Sequence, residues 1–240
     1  MGDRVVGVPD FAADLPGAAG KVLIGGFTPD LERIVALAPD LVVASRDGTD
    51  RAAYEKLKAL GVPVLATEAR SLAGVLADIL RIGGAIGEPA AAERVVASLS
   101  ERIAAAERRA AGRKEPPPRV AVVIWPDPPV VAGPATFVGD LLVRARLVNV
   151  VPEKAGEWPR VSQESLAAWN PDLVIHPETA ENGAAFARAF GPDGPWRLVP
   201  AVRTGRVVAI PGAALERPGP RLVDALERLA AIGDPRGERR

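Results

Sequence analysis

Few side chains in this sequence are equipped for chemistry, and they are scattered along it. The only histidine, His176, follows Leu173-Val174-Ile175. That is the carboxyl end of a strand-like run, where α/β proteins build their sites; a lone histidine is more often packed in a core or solvated. Cysteine is absent, so there is no disulfide and no thiolate nucleophile, and a zinc or other transition-metal site has almost no ligands to draw on. No G-x-S-x-G, Walker A or G-x-G-x-x-G run occurs, and Gly25-Gly26 after Val22-Leu23-Ile24 reads as a tight turn after a strand. Nothing assembles a nucleophile, a base and an oxyanion donor, so catalysis has little support. What remains is the chemistry of contact. Aromatic residues make up 4% of the chain. Four of them, Phe11, Phe27, Trp125 and Trp158, fall after strands or before helices, and flat rings suit a planar macrocycle. Arg46, after Leu41–Ala44, and Arg217, in Arg217-Pro218-Gly219-Pro220-Arg221, can meet a ligand carboxylate or phosphate. Ordinary packing or a solvated surface accounts for each of these equally well. Trp169 and Trp196 read as structural.

The elements that must carry these residues alternate short β-rich runs with helical ones, the pattern of βαβ units and parallel sheets. Strands are expected at Arg4–Val8, Leu41–Ala44, Val62–Ala66, Arg119–Ile124, Leu173–His176 and Arg206–Ile210. Helices are expected at Pro29–Leu37, Asp50–Leu60, Ser71–Ile86, Thr136–Ala145, Gln163–Ala168, Ala184–Phe190 and Arg221–Ile232. Pro89–Ala111 reads as one long helix, with proline at its start, Ala, Glu and Arg along it and Gly112 after it. At 1.5 Å per residue it spans roughly 35 Å. It leads into Lys114-Glu115-Pro116-Pro117-Pro118, a stiff connection.

Material on the two sides of that helix is alike. Leu31-Glu32-Arg33-Ile34-Val35-Ala36-Leu37-Ala38-Pro39-Asp40-Leu41-Val42-Val43 resembles Gln163-Glu164-Ser165-Leu166-Ala167-Ala168-Trp169-Asn170-Pro171-Asp172-Leu173-Val174-Ile175. Each is a short helix, a Pro-Asp stop and a buried strand, and Glu32 and Glu164 each stand seven residues before the proline. Proline ends the helix, and the β-branched run enters a sheet. A repeat half a chain apart argues for two lobes of like topology. The expected fold is α/β, two Rossmann-like lobes joined by a single long helix: residues 1–88, helix 89–113, and residues 114–240.

The chain has 240 residues, and Lys+Arg and Asp+Glu both number 30. This balance gives no reason to expect nucleic acid or an anionic membrane as partner. No apolar run is long enough to span a bilayer. Met1-Gly2-Asp3-Arg4 leads straight into Val5-Val6-Gly7-Val8, with no signal segment visible. On the residues alone, the chain is cytosolic or a mature or trimmed form.

Several runs together resemble the class III periplasmic binding proteins, the cobalamin, ferric-siderophore and haem receptors of ABC importers. In the first half they are Gly2-Asp3-Arg4-Val5-Val6-Gly7-Val8, Gly25-Gly26-Phe27-Thr28-Pro29-Asp30-Leu31-Glu32 and Ala38-Pro39-Asp40-Leu41-Val42. In the second they are Trp125-Pro126-Asp127-Pro128-Pro129, Ala132-Gly133-Pro134-Ala135-Thr136-Phe137, Trp158-Pro159-Arg160-Val161-Ser162-Gln163-Glu164 and Arg217-Pro218-Gly219-Pro220-Arg221. The resemblance implies a ligand held in a cleft between the lobes, little closure, and Glu32 and Glu164 docking onto a membrane permease served by an ATPase. It implies a monomer in the periplasm or at the cell surface, touching a membrane only through that permease or an anchor. It also implies a first strand and helix ahead of Gly2, without which the first lobe lacks a strand. The Trp158–Glu164 stretch is closest to the cobalamin receptors, so the expected ligand is a corrinoid. Siderophore and haem receptors are the alternatives; a cofactor-scaffold enzyme and a ligand-free interaction protein are alternatives of other classes. No cofactor and no bound metal are expected.

Overall fold

The computed structural model describes residues 2–232 except 14, 16, 27, 46–50, 114–115 and 180–181. Phe27 and Arg46, expected from the sequence to contact a ligand, therefore lie outside the described residues. The chain forms two compact units: Met1–Glu68 with Arg81–Pro89, and Ala69–Leu80 with Ala90–Arg240.

Unit 1 begins with β1 (Gly7–Val8), which lies parallel to β2 (Val22–Leu23). The strand expected from Arg4 starts later, because Gly2–Arg4 forms a 3-10 turn. Helix α1 (Leu31–Ala36) opens on Asp30, whose carboxylate accepts the Arg33 N–H at 3.0 Å. It stops at Ala38, which turns left-handed (φ 45°) ahead of Pro39. Strand β3 (Val42–Ser45), helix α2 (Arg51–Ala59) and strand β4 (Val64–Thr67) follow, with β3 and β4 parallel. Among the described residues the two pairs, β1–β2 and β3–β4, remain separate two-stranded sheets. A Cβ at Gly7 would lie 2.8 Å from Ile24 Cγ2 and 2.9 Å from Leu37 Cδ1, so a larger residue there would require those two side chains to shift.

Helix α3 (Leu72–Ala85) starts within unit 2 and ends in unit 1. Its Leu72 and Val75 are buried in the unit 2 core, which is why residues 69–80 group with that unit. Helix α4 (Pro89–Ala111) has the bounds read from sequence. Its buried Leu99, Ile103, Ala106 and Ala110 fall on one stripe and join the same core.

Unit 2 is built on β5 (Arg119–Pro126), β6 (Pro129–Val131), β7 (Val148–Asn149), β8 (Leu173–Glu178) and β9 (Val207–Pro211). The order is β6-β5-β8-β9, with β7 also paired to β5; β6 alone is antiparallel. The pleat sorts β5 between two layers. Val120 and Val122 join a core with α3, α4, α5 (Phe137–Arg144) and α9 (Leu222–Ala231). Ala121 and Val123 face the other way, onto α6 (Gln163–Trp169), α7 (Gly183–Phe190), Trp196 and α8 (Pro200–Arg203). All four of these β5 residues are fully buried, as parallel strands covered on both faces are. Sequence reading missed β6 and β7, which have three residues and two.

The repeat seen in sequence is present in backbone form. Helix α6 opens on Ser162, whose hydroxyl accepts the Ser165 N–H, and stops at left-handed Asn170 (φ 46°) before Pro171, as α1 stops at Ala38.

Candidate ligand-binding surfaces

The carboxyl edge of the unit 2 sheet carries the exposed aromatic surface. Trp125, near the end of β5, is 45% exposed and donates its Nε1–H to the Asp127 carbonyl at 2.8 Å. Beside it, Val131 N–H donates to Pro159 O and Val161 N–H to Pro129 O, so the segment around Trp158 runs along β6. Val130 is paired with Trp125 on one side and Arg160 on the other. Trp158 is 37% exposed, and its ring tilts against Phe137 with centroids 5.5 Å apart. Gly133 holds this loop: a Cβ there would sit 2.1 Å from Gly156 O, and its N–H reaches Glu157 O at 2.7 Å. Two large apolar rings are thus fixed from behind and left open in front.

Arg217 lies half-buried in the loop after β9. The neighbouring Glu216 accepts from Asn182 Nδ2 at 3.3 Å, and Asn182 and Thr179 bond each other's backbone N–H groups. In unit 1, Phe11 is 38% exposed on the short turn after β1. It lines a cavity of about 220 Å³ with Ile24, the residues of β3 and Tyr54. Tyr54 is half-buried there, with the Lys58 ammonium 4.7 Å from its ring centre.

His176 does not join any of these surfaces. It is 8% exposed, stacks on Phe186 at 4.3 Å and meets Phe190 edge-on at 5.4 Å. Its Nδ1 lies 3.0 Å from Pro177 O. Burial pushes its pKa below the usual histidine value, against smaller opposing effects from that carbonyl and Glu178. Trp196 is fully buried and donates Nε1–H to Pro126 O at 3.0 Å; Trp169 is half-buried against the same core. Both are structural, as read. Among the described residues no three His, Cys, Asp or Glu side chains gather where they could hold a metal ion. No described helix is long and apolar enough to cross a membrane.

Glu32 and Glu164 each occupy the second position of their helix and are exposed. The Glu164 carboxyl is held below the ordinary range by its own backbone N–H and by the Ser162 hydroxyl. The sequence therefore placed these two equivalently, and the structure repeats the placement on each unit.

The family model for periplasmic binding proteins matches residues 1–214. A cobalamin-binding protein of Halobacterium salinarum is 30% identical over 96% of this chain, which spans 64% of that protein's length. An uncharacterized ABC transporter substrate-binding lipoprotein of Bacillus subtilis, YvrC, is 29% identical over 96% of this chain and 73% of its own. The vitamin B12 binding protein BtuF of Vibrio cholerae superposes with a TM-score of 0.82 at 20% identity, covering 99% of this chain and 91% of that one. The apo haem-binding protein RhuT of Roseiflexus gives 0.82 at 27%, covering 96% and 89%. The match over residues 1–214 shows that the chain belongs to the periplasmic binding protein family, a family of binding proteins rather than enzymes.

Proposed function

We propose that this chain is the substrate-binding component of an ABC importer and that its ligand is a corrinoid, cobalamin. One observation carries the choice of ligand: the exposed indoles of Trp125 and Trp158 offer flat stacking area, and among the described residues no cluster of metal-ligating side chains accompanies them. The chain has no Cys, one His and one Tyr. The histidine is buried between two phenylalanines. Such a surface suits a macrocycle that brings its metal with both axial positions filled. On unit 2, Trp125 and Trp158 supply stacking area and Arg217 a cationic group for a polar edge of the ligand; on unit 1, Phe11 supplies an apolar surface of its own. The name of the halobacterial relative, a cobalamin-binding protein, points the same way. Haem is the second reading, favoured by the likeness to RhuT and by Tyr54 lining the unit 1 cavity.

In this reading Glu32 and Glu164 dock onto basic residues of a permease coupled to an ATPase, and the chain works outside the cytoplasmic membrane. Two carboxylates presented alike on two units make a bidentate electrostatic mark. Titration with cyanocobalamin, followed by calorimetry and corrin absorbance, tests the ligand. Stoichiometric binding with sub-micromolar Kd is expected, weakened at least tenfold by Trp125→Ala or Trp158→Ala. A response to haemin or a ferric siderophore and none to cobalamin keeps the receptor class and overturns the ligand.

A further inference from the structure

Arg160 lies inside the Trp158–Glu164 stretch but is not among the ligand contacts expected from sequence; strand geometry brings it to them. Val131 N–H donates to Pro159 O and Val161 N–H to Pro129 O, so Val130 and Arg160 form the close, non-hydrogen-bonded kind of antiparallel pair. Residues opposed in this way turn their side chains to the same face. Val130 is also opposed to Trp125. Between Val123 and Trp125 the register shifts, β5 advancing two residues while β6 moves by one. Val123, opposite Val131, therefore packs into the core with α6 and α7, and Trp125, opposite Val130, turns to the other face.

Trp158, two residues before Arg160 on the same extended segment, takes the same face by alternation. It packs on Phe137 there, whereas Val161, the residue after Arg160, packs against the opposite core. One face thus presents two indoles and a guanidinium-bearing side chain. Arg160 stands two strand spacings from Trp125, roughly 10 Å, and two residues from Trp158, roughly 7 Å along the segment. It is exposed, and among the described residues its guanidinium meets no carboxylate, carbonyl or ring. The nearest acidic residue in the sequence, Glu157, is taken by Arg70 at 2.5 Å and leaves the Arg160 charge in place.

We propose that Arg160 is a specificity-determining contact of unit 2, taking an anionic group carried on the edge of a flat ligand whose ring lies against Trp125 and Trp158. A guanidinium presents a planar fork of donors matched to two oxygens of a phosphate or a carboxylate. The identity of the anion, though not the role of Arg160, rests on the corrinoid reading above. In cobalamin it is the phosphodiester that ties the nucleotide base to the corrin, the other side chains of the ring being neutral amides. In a porphyrin the same fork meets a propionate.

Two corrinoids separate the ring from the anion: cyanocobalamin, and dicyanocobinamide, which keeps the corrin but lacks the phosphodiester and its base. Measured by calorimetry, Arg160→Gln lowers affinity for cyanocobalamin about tenfold and leaves that for dicyanocobinamide within about twofold. Arg160→Lys, which keeps the charge but not the fork, falls between wild type and Arg160→Gln on cyanocobalamin alone. The melting midpoint of either variant stays within about 1 °C of wild type, because an exposed side chain with no partner supports no part of the fold. Binding of haemin and of neither corrinoid defeats the ligand reading, and haemin against its dimethyl ester then carries the test. A loss in Arg160→Gln confined to the free acid supports the role of Arg160. Equal losses on the charged and uncharged members of the pair that binds, or no loss on either, overturn the proposal. Silence of the wild-type chain toward all four ligands overturns it together with the ligand reading.

Discussion

Val43 and Ile175 occupy the same place in the two copies of the repeat, four residues after the proline, yet one is 47% exposed and the other fully buried. Both are β-branched, both follow Pro-Asp-Leu-Val or its match, and both lie in parallel strands. The local code is therefore the same, and burial is decided by what stands on either side. Ile175 sits in a strand with neighbours on both edges and helices on both faces. Val43 sits in a strand with one neighbour among the described residues. Among the described residues unit 2 has one five-stranded sheet, parallel but for β6, and unit 1 has two separate two-stranded parallel pairs.

The comparison is broken or sharpened most strongly by truncation at these two positions. Ile175→Ala is expected to cost about 2–5 kcal/mol and Val43→Ala less than about 1 kcal/mol, measured by denaturant unfolding. Equal costs would mean that unit 1 buries its strands after all. The helix stops come next. Ala38 and Asn170 hold almost the same left-handed angle, 45° and 46°, but alanine tolerates it badly and asparagine well. Ala38→Asn should stabilise by about 0.5–1 kcal/mol and Asn170→Ala should destabilise by a similar amount; a null result for both would place the angles within alanine's reach.

Acid gives the smallest effect and separates the units by chemistry. His176 is the only histidine and belongs to unit 2. Its folded pKa is depressed by burial, so below the unfolded value of about 6.5 the unfolded state binds more protons. Stability should fall as pH drops below about 6.5 and flatten below the folded pKa. His176→Phe should remove that slope when unfolding is followed from pH 7.5 to 5; a slope that survives the substitution would assign it to the carboxylates.

Much of this architecture could be read before any coordinates. Helix α4 was legible to the residue because Pro89 and Gly112 punctuate an Ala-rich run. The repeat was legible because Pro-Asp after a short helix leaves little conformational choice. Strands β6 and β7 were not, since runs of two or three residues are too short to carry a periodicity. The exposed pair Trp125 and Trp158 was named from position alone. That the loop beneath them is held by Gly133 against Gly156 depends on backbone contact distant in sequence, which no pattern of residue types encodes. The burial of His176 is a tertiary matter too: the rings around it come from α7, ten or more residues away.

The placement of the indoles has an optical consequence. All four tryptophans belong to unit 2, so intrinsic fluorescence excited at the red edge is blind to unit 1. Within unit 2 the emitters divide by accessibility: Trp125 and Trp158 are open to a collisional quencher such as iodide, and Trp196 is sealed. One chain thus carries a solvent-facing channel that reports a guest on the sheet edge and a shielded channel that reports melting of the core. Circular dichroism lost ahead of both would be the signature of unit 1 coming apart on its own.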